Sequence, residues 1–263
     1  MKTARKTIMA VLCVLCIVVA TITGTLAYLT DTDNVTNTFT VGNVKIDLDE
    51  AVVGENGKAI DHDTNRTTDP QDATLTEGNA YHLLPGLTYD KDPRVTVKAG
   101  SEESYIRIIM TVHNASAVQA IIDADDVKDD AGNVTSKGAI VDFKDLLTGW
   151  SNKWVYQGYE ADDFDSDKNT ITFEFRYNEK VDGFDGVDNE GKKVKADAIL
   201  DDLFQQVAVP GYVTNEQLAA LYGNAEDATG DFYMEITAHA IQTAGFTDED
   251  AAWAAFDDQH PAA

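Results

Sequence analysis

Apolar and polar residues alternate with a period of two along much of this chain, which is the pattern of half-buried β-strands. In the clearest run, 105–113, every second residue is a large aliphatic or Met side chain. Strands are predicted at 95–99, 105–113, 139–143, 154–156, 171–177, 205–209 and 232–240. Because they are well separated and joined by loops, an antiparallel sandwich is favoured over a parallel α/β sheet. We therefore predict an all-β fold.

Turns and short helices fill the intervals between the strands. Turn motifs are predicted at 84–86, where Pro-Gly fits a type II turn, and at the loop tips 130–133 and 189–191. One helix is predicted to begin at Thr214, with Gln217 at the capping-box spacing, and to end at Gly223. A second is predicted to begin at Thr247 and to continue through Phe256, with acidic residues in its first turn.

The start of the chain has a different pattern. Three basic residues and no acid occupy positions 1–7, and an unbroken apolar run follows from Ile8 to Ala20. This run is shorter than the roughly 20 residues that a membrane span needs. Together with the small residues Thr25 and Ala27, it predicts a secretory signal peptide over 1–27, cleaved between Ala27 and Tyr28. An uncleaved anchor is the alternative.

The positions of the cysteines and the net charge add two constraints on the class of protein. Both cysteines lie inside the predicted leader, at 13 and 16, so the mature chain 28–263 has no thiol and no disulfide. The chain has 46 acidic and 20 basic residues and a net charge of −26, and loss of the three leader cations takes this to −29. Such a surface repels nucleic acid and anionic lipid, and salt, acid or divalent cations should favour its self-association. We predict a secreted, extracellular protein organised as one β-sandwich domain over 28–263, in contact with the membrane only before cleavage.

Directly behind the leader lies a Thr-rich strand segment, 28–48. Val35, Phe39 and Val41 fall on one face, Gly42 and Asn43 break the register, and a second alternating run follows. A terminal β-segment of this kind can pair within its own sheet or join the edge of a neighbour's sheet. An ordinary first strand is the arrangement expected in the isolated monomer.

Little in the sequence indicates catalysis. No zinc-peptidase, serine-hydrolase or phosphate-loop motif is present, and the five histidines lack metal-ligand spacing. The acidic loops are the better metal candidates, because Ca²⁺ prefers carboxylate oxygens. The candidate ligands are Asp123, Asp125, Asp163, Asp165 and Asp167. Arg176 stands where an EF-hand loop would have its Glu, so solvated acidic loops are favoured over calcium sites. No cofactor is predicted, with calcium as the alternative.

Three blocks of sequence resemble one family. GTLAYLTDTDNVTNTFTVGNVKIDLDE, at 24–50, closely resembles the start of proteins exported through the SipW type of signal peptidase. This group includes the TasA and CalY (camelysin) biofilm-matrix proteins of Gram-positive bacteria. LLPGLTYDKDPRVTVKAGSEESYIRI, at 83–108, and FYMEITAHAIQTAGF followed by AAWAAF, at 232–256, extend the likeness in the same order.

The resemblance implies a jelly-roll-like sandwich that a dedicated signal peptidase releases and that assembles with itself into matrix fibres. The mature N-terminal segment of one subunit would complete the sheet of the next, with Val35, Phe39 and Val41 on the donor strand. Other matrix or cell-wall components are further possible partners. We therefore predict a non-enzymatic fibre subunit. A camelysin-type metallopeptidase, for which no motif is present, and a surface adhesin are the alternatives.

Overall fold

The computed structural model describes residues 30–33, 44–60, 74–75, 79–158, 164–184, 186–222 and 232–260. Its strands are β1 Thr30–Asp33, β2 Ile46–Ala51, β3 Thr74–Leu75, β4 Thr88–Asp90, β5 Arg94–Val97, β6 Ser104–His113, β7 Val127–Lys128, β8 Val134–Ser136, β9 Leu147–Thr148, β10 Trp154–Tyr156, β11 Phe164–Asp165, β12 Thr170–Tyr177, β13 Gly186–Val187, β14 Lys193–Val194, β15 Ala198–Ile199, β16 Gln206–Ala208 and β17 Met234–Gln242. The described α-helices are α1 Ala115–Ile122, α2 Asn215–Leu221 and α3 Glu249–Gln259, and 3₁₀ helices cover Asp123–Asp125 and Phe143–Leu146.

Within the described residues, the main sheet has six strands in the order β1-β17-β6-β12-β10, with β11 also paired to β12. A second sheet has the order β15-β5-β2-β3, and a third the order β4-β16-β9. Two hairpins, β7–β8 and β13–β14, project as separate ribbons whose turns contain the predicted loop tips. Every described strand pair is antiparallel, so the all-β antiparallel class is confirmed. The jelly-roll strand order stays a prediction.

The main and second sheets bury one shared apolar core. The alternation in strand β6 explains how one face of the main sheet becomes apolar. Its even-numbered apolar residues from Ile106 to Val112 are fully buried, while most of the residues between them are partly exposed. Ile46, Val95 and Val97 of the second sheet belong to the same cluster as Ile106 and Met110 of β6. Burial of a large aliphatic side chain contributes roughly 1.5–3 kcal/mol, so this two-layer contact is the main source of stability.

One predicted strand is wrong. Residues 139–143 form no strand, because Asp142 caps a 3₁₀ helix that begins at Phe143. The Asp142 carboxylate accepts a hydrogen bond from Lys144 N at 2.7 Å, and the Asp145 carboxylate accepts one from Asp142 N at 3.1 Å. This local capping box satisfies the backbone groups that a strand would have had to pair.

The helices differ in how well the sequence indicated them. Helix α1 was not predicted; it follows Asn114, whose left-handed backbone (φ 55°) turns the chain out of β6. Helix α3 was predicted one residue early, since Asp248 rather than Thr247 is its N-cap and accepts a hydrogen bond from Ala251 N at 2.9 Å. The predicted Pro-Gly turn is confirmed, with Gly86 at φ 76°.

Helix α2 has the predicted capping box, and its cap provides a stability test. Thr214 Oγ1 accepts a hydrogen bond from Gln217 N at 3.2 Å, and Gln217 Oε1 accepts one from Thr214 N at 2.9 Å. Thr214→Ala should lower the free energy of unfolding by about 1 kcal/mol, measured by urea denaturation. Thr214→Ser keeps the hydroxyl acceptor and should retain most of that stability. Equal losses in both variants would contradict the assigned cap.

Candidate assembly site at the edge of the main sheet

The N-terminal residues of the described chain form the outermost strand of the main sheet. Strand β1 pairs antiparallel with β17, with Thr30 opposite Ile241 and Asp33 opposite Ala238. On its other side β17 pairs with β6 over its whole length. Among the strands that the structure describes, β1 is therefore an edge strand, joined to the sheet by its pairing with β17.

The opposite edge of the main sheet is built differently. Strand β10 is three residues long, and Trp154 N donates to Ser151 O of the preceding turn at 3.4 Å. Gln157 N donates inward to Glu174 O at 3.0 Å, so by the alternation of an antiparallel ladder Trp154 N faces outward. A short edge strand with an outward N–H already occupied is a poor template for another chain. The β17 side is thus the better edge for strand exchange.

A cavity of about 220 Å³ lies where β17 begins, between that strand and the segment 79–91. We refer to it as the aromatic pocket because five of its lining residues are aromatic. These are Tyr81, Tyr89, Tyr222, Phe232 and Tyr233. Leu83, Val207 and Met234 add apolar surface, and Ala80 lies at the exposed side. The pocket is therefore shaped to take an apolar or aromatic side chain.

Hydrogen bonds fix the tyrosines of the aromatic pocket. Tyr89 Oη donates to His82 O at 2.8 Å and accepts from Leu84 N at 2.6 Å, which makes its position rigid. Tyr81 Oη donates to Asp90 O at 2.9 Å, and its ring meets that of Tyr89 edge-on with centroids 6.0 Å apart. The walls of the pocket are accordingly preformed rather than adaptable.

A buried ion pair anchors one side of the pocket. Lys91 Nζ lies 2.5 Å from Glu50 Oε2, and both residues are less than 8% exposed. Asn79 N and Nδ2 each donate to Glu50 Oε1 at 3.1 Å, which ties the segment 79–91 to β2. Burial and then the Glu50 carboxylate raise the pKa of Tyr81 well above its ordinary value, so this hydroxyl stays protonated.

Helix α3 holds β17 from the outer face of the main sheet. The Arg107 guanidinium of β6 lies 4.5 Å from the Trp253 ring centroid and donates to Asp257 Oδ2 at 3.2 Å. Arg107 Nε donates to His239 Nδ1 at 3.1 Å, and the Arg107 residue is 4% exposed. Burial, with the Arg107 charge beside it, lowers the pKa of His239 to about 3. The sequence indicated only that Arg107 lies on the face opposite the core, with no signal of its burial.

Three of the four calcium candidates in the described part of the chain accept hydrogen bonds from other protein groups. Asp123 Oδ1 accepts from Gln119 Nε2 at 2.9 Å and from Lys137 Nζ at 3.3 Å. Asp125 Oδ2 accepts from Ala139 N at 3.2 Å. Asp165 Oδ1 accepts from the backbone N–H of Asp167 at 2.9 Å, which forms a turn around one carboxylate. Within the described residues, no group of three or more His, Cys, Asp or Glu side chains is arranged to hold a metal ion.

Several predicted residues lie outside the described ranges. They are the leader 1–27 with the cleavage pair Ala27 and Tyr28, the donor-strand residues Val35, Phe39 and Val41, and the calcium candidate Asp163. Of the segment 28–48, the structure describes 30–33 and 44–48. Among the helices that the structure does describe, none combines the length and the apolar character needed to cross a bilayer.

Comparisons of the chain with protein-family models, with curated proteins and with solved structures gave no match. Functional inference therefore rests on the site itself, which consists of β17, its edge strand β1, the aromatic pocket at one end and helix α3 on the outer face.

Proposed function

We propose that this protein is a secreted structural subunit that assembles into extracellular fibres by exchange of its N-terminal strand. The observation that carries the proposal is the position of β1. It lies at an edge of the main sheet, and among the described strands it pairs with β17 and no other. Its replacement by the same strand of another copy would restore the same backbone hydrogen bonds without opening the core between the sheets.

The sequence around β1 supports exchange over simple edge-to-edge stacking. Strand β1 has the sequence Thr-Asp-Thr-Asp, and charged residues on an edge strand oppose the addition of a further strand. Growth at this edge is therefore expected to replace β1 rather than to extend the sheet beyond it. The high negative charge of the chain slows contact between subunits until salt screens it.

The test is removal of the exchanged strand. The full coding sequence and a variant lacking residues 28–41 are expressed in a Gram-positive host, and the processed proteins are purified from the medium. The deletion variant should keep the far-UV circular dichroism of a β protein and a cooperative unfolding transition, but form no fibres by negative-stain microscopy.

The matched control is Asp31→Asn/Asp33→Asn, which removes the same two negative charges and keeps the strand. It should form fibres at least as fast as the parent. Fibres from the deletion variant, or none from a parent incubated across salt and pH, would contradict the proposed function.

A further inference from the structure

We propose that the aromatic pocket is the acceptor for the Phe39 side chain of a second copy of this chain. The inference rests on the proposed function and adds to it the anchor residue and its binding place. It follows from the register of β1 on β17 and from the dimensions and lining of the pocket.

The register comes first. Residues Thr30 to Asp33 pair in sequence with Ile241 to Ala238, so each step forward on the donor is one step back on β17. A donor strand that continues in this register has Val35 level with Ile236 and Phe39 level with Phe232. Phe232 lines the aromatic pocket, and Ile236 packs against the core beside it. Opposite residues of an antiparallel pair project to the same face, so Val35 and Phe39 would both lie on the core side.

The size and chemistry of the pocket fit a phenyl ring. A cavity of about 150 Å³ lined by aliphatic and aromatic side chains is enough to hold benzene, and the aromatic pocket measures about 220 Å³. Tyr81 and Tyr89 already meet edge-on, and their hydroxyls are held by backbone groups. The surfaces left for a guest are therefore ring faces and the side chains of Leu83, Val207 and Met234.

The second copy follows from the proposed exchange of the N-terminal strand. A donor strand that replaces β1 and keeps its register on β17 has Phe39 level with Phe232, at the mouth of the aromatic pocket.

The first test measures fibre elongation by seeded growth of the processed full chain. Phe39→Ala removes the anchor, and Ala80→Trp fills the pocket from its exposed side; each should slow elongation about tenfold or more. Thr38→Ala, next to the anchor, and Ala131→Trp, on an exposed hairpin turn, are the matched controls and should elongate at the parental rate.

The second test reads the register directly and does not depend on elongation rates. The processed chain is expected to have no cysteine, so Asn37→Cys and Met234→Cys chains, which the register places opposite each other, can be mixed under mild oxidation. They should form a covalent heterodimer. Thr38→Cys with Met234→Cys should not, because side chains one residue out of register project to opposite faces.

The outcomes separate this inference from the proposed function. If deletion of 28–41 abolishes fibres while Phe39→Ala and Ala80→Trp elongate normally, or if Thr38→Cys cross-links as well as Asn37→Cys, the pocket assignment is wrong and the proposed function stands. If the deletion variant itself forms fibres, both are wrong.

Discussion

Replacement of Lys91 by methionine is expected to lower the free energy of unfolding by about 3–5 kcal/mol, the range for breaking a buried ion pair from one side. The methionine fills most of the volume but leaves the Glu50 carboxylate at 6% exposure without its cation. Asn79 alone cannot compensate a buried negative charge. The measurement is urea denaturation monitored by circular dichroism.

Two control variants distinguish the cost of a buried unpaired charge from the loss of an ion pair in general. Lys153 pairs with Glu179 at the surface, and Lys153→Met should cost less than about 1 kcal/mol because water screens an exposed pair. The double variant Glu50→Gln/Lys91→Met removes both charges and should recover much of the loss. If Lys91→Met is no more destabilising than Lys153→Met, the buried ion pair with Glu50 does not hold the 79–91 segment.

Acid is expected to destabilise the protein through His239, by about 3 kcal/mol between pH 7 and pH 4. The folded state holds this imidazole neutral with a pKa of about 3, whereas an unfolded chain has a pKa near 6.5. Below pH 6.5 the unfolded state therefore binds a proton that the folded state does not bind. The contribution of His239 to stability is fully present above that pH and is lost as the pH falls towards 3. Each pH unit inside this window costs at most about 1.4 kcal/mol.

The variant His239→Gln keeps an acceptor for Arg107 and cannot titrate. Its free energy of unfolding should vary less between pH 7 and pH 4 than that of the parent, in urea titrations at fixed ionic strength. The carboxyl group of Asp90 also affects stability at low pH. Burial would raise its pKa, but hydrogen bonds from Ala59 N and Gln206 Nε2 lower it. Protonation of such carboxyl groups therefore reduces stability mainly below pH 4, outside this window. If the free energy of unfolding of His239→Gln varies with pH as much as that of the parent, His239 is not the source of the loss in acid.

The longer strands of the main sheet could be predicted because apolar and polar residues alternate wherever one face of a strand is buried. Strands β6, β10 and β12 were predicted to within one residue, since each has one face in the core and one outside. The capping box at Thr214 was equally local and is present. The segment 139–143 has the same alternation, but there the side chain of Asp142 accepts a backbone hydrogen bond and begins a 3₁₀ helix. The alternation of five residues does not reveal this competing contact.

The site could be predicted only in part. The sequence indicated a terminal strand able to pair with a sheet edge, but it gave no partner, because β17 lies at the other end of the chain. Lys91, Glu50 and Arg107 were missed because a charged residue is ordinarily solvated, and its burial depends on partners far away in sequence. The aromatic pocket combines residues from 79–91, Val207, Tyr222 and β17, which no local pattern connects.

The pairing of β1 with β17 also sets an order of events. Thr30 and Ile241 are roughly 200 residues apart, so a chain that emerges from its N-terminus must deliver nearly all of its length before β1 can meet its own partner. Strand β17 pairs with β6 across a shorter loop than with β1, so chain entropy favours the β6–β17 pairing first. Each newly folded molecule is therefore expected to pass through an interval in which β17 is formed but still vacant. Under the proposed strand exchange, the length of that interval would decide between a self-capped monomer and a growing fibre.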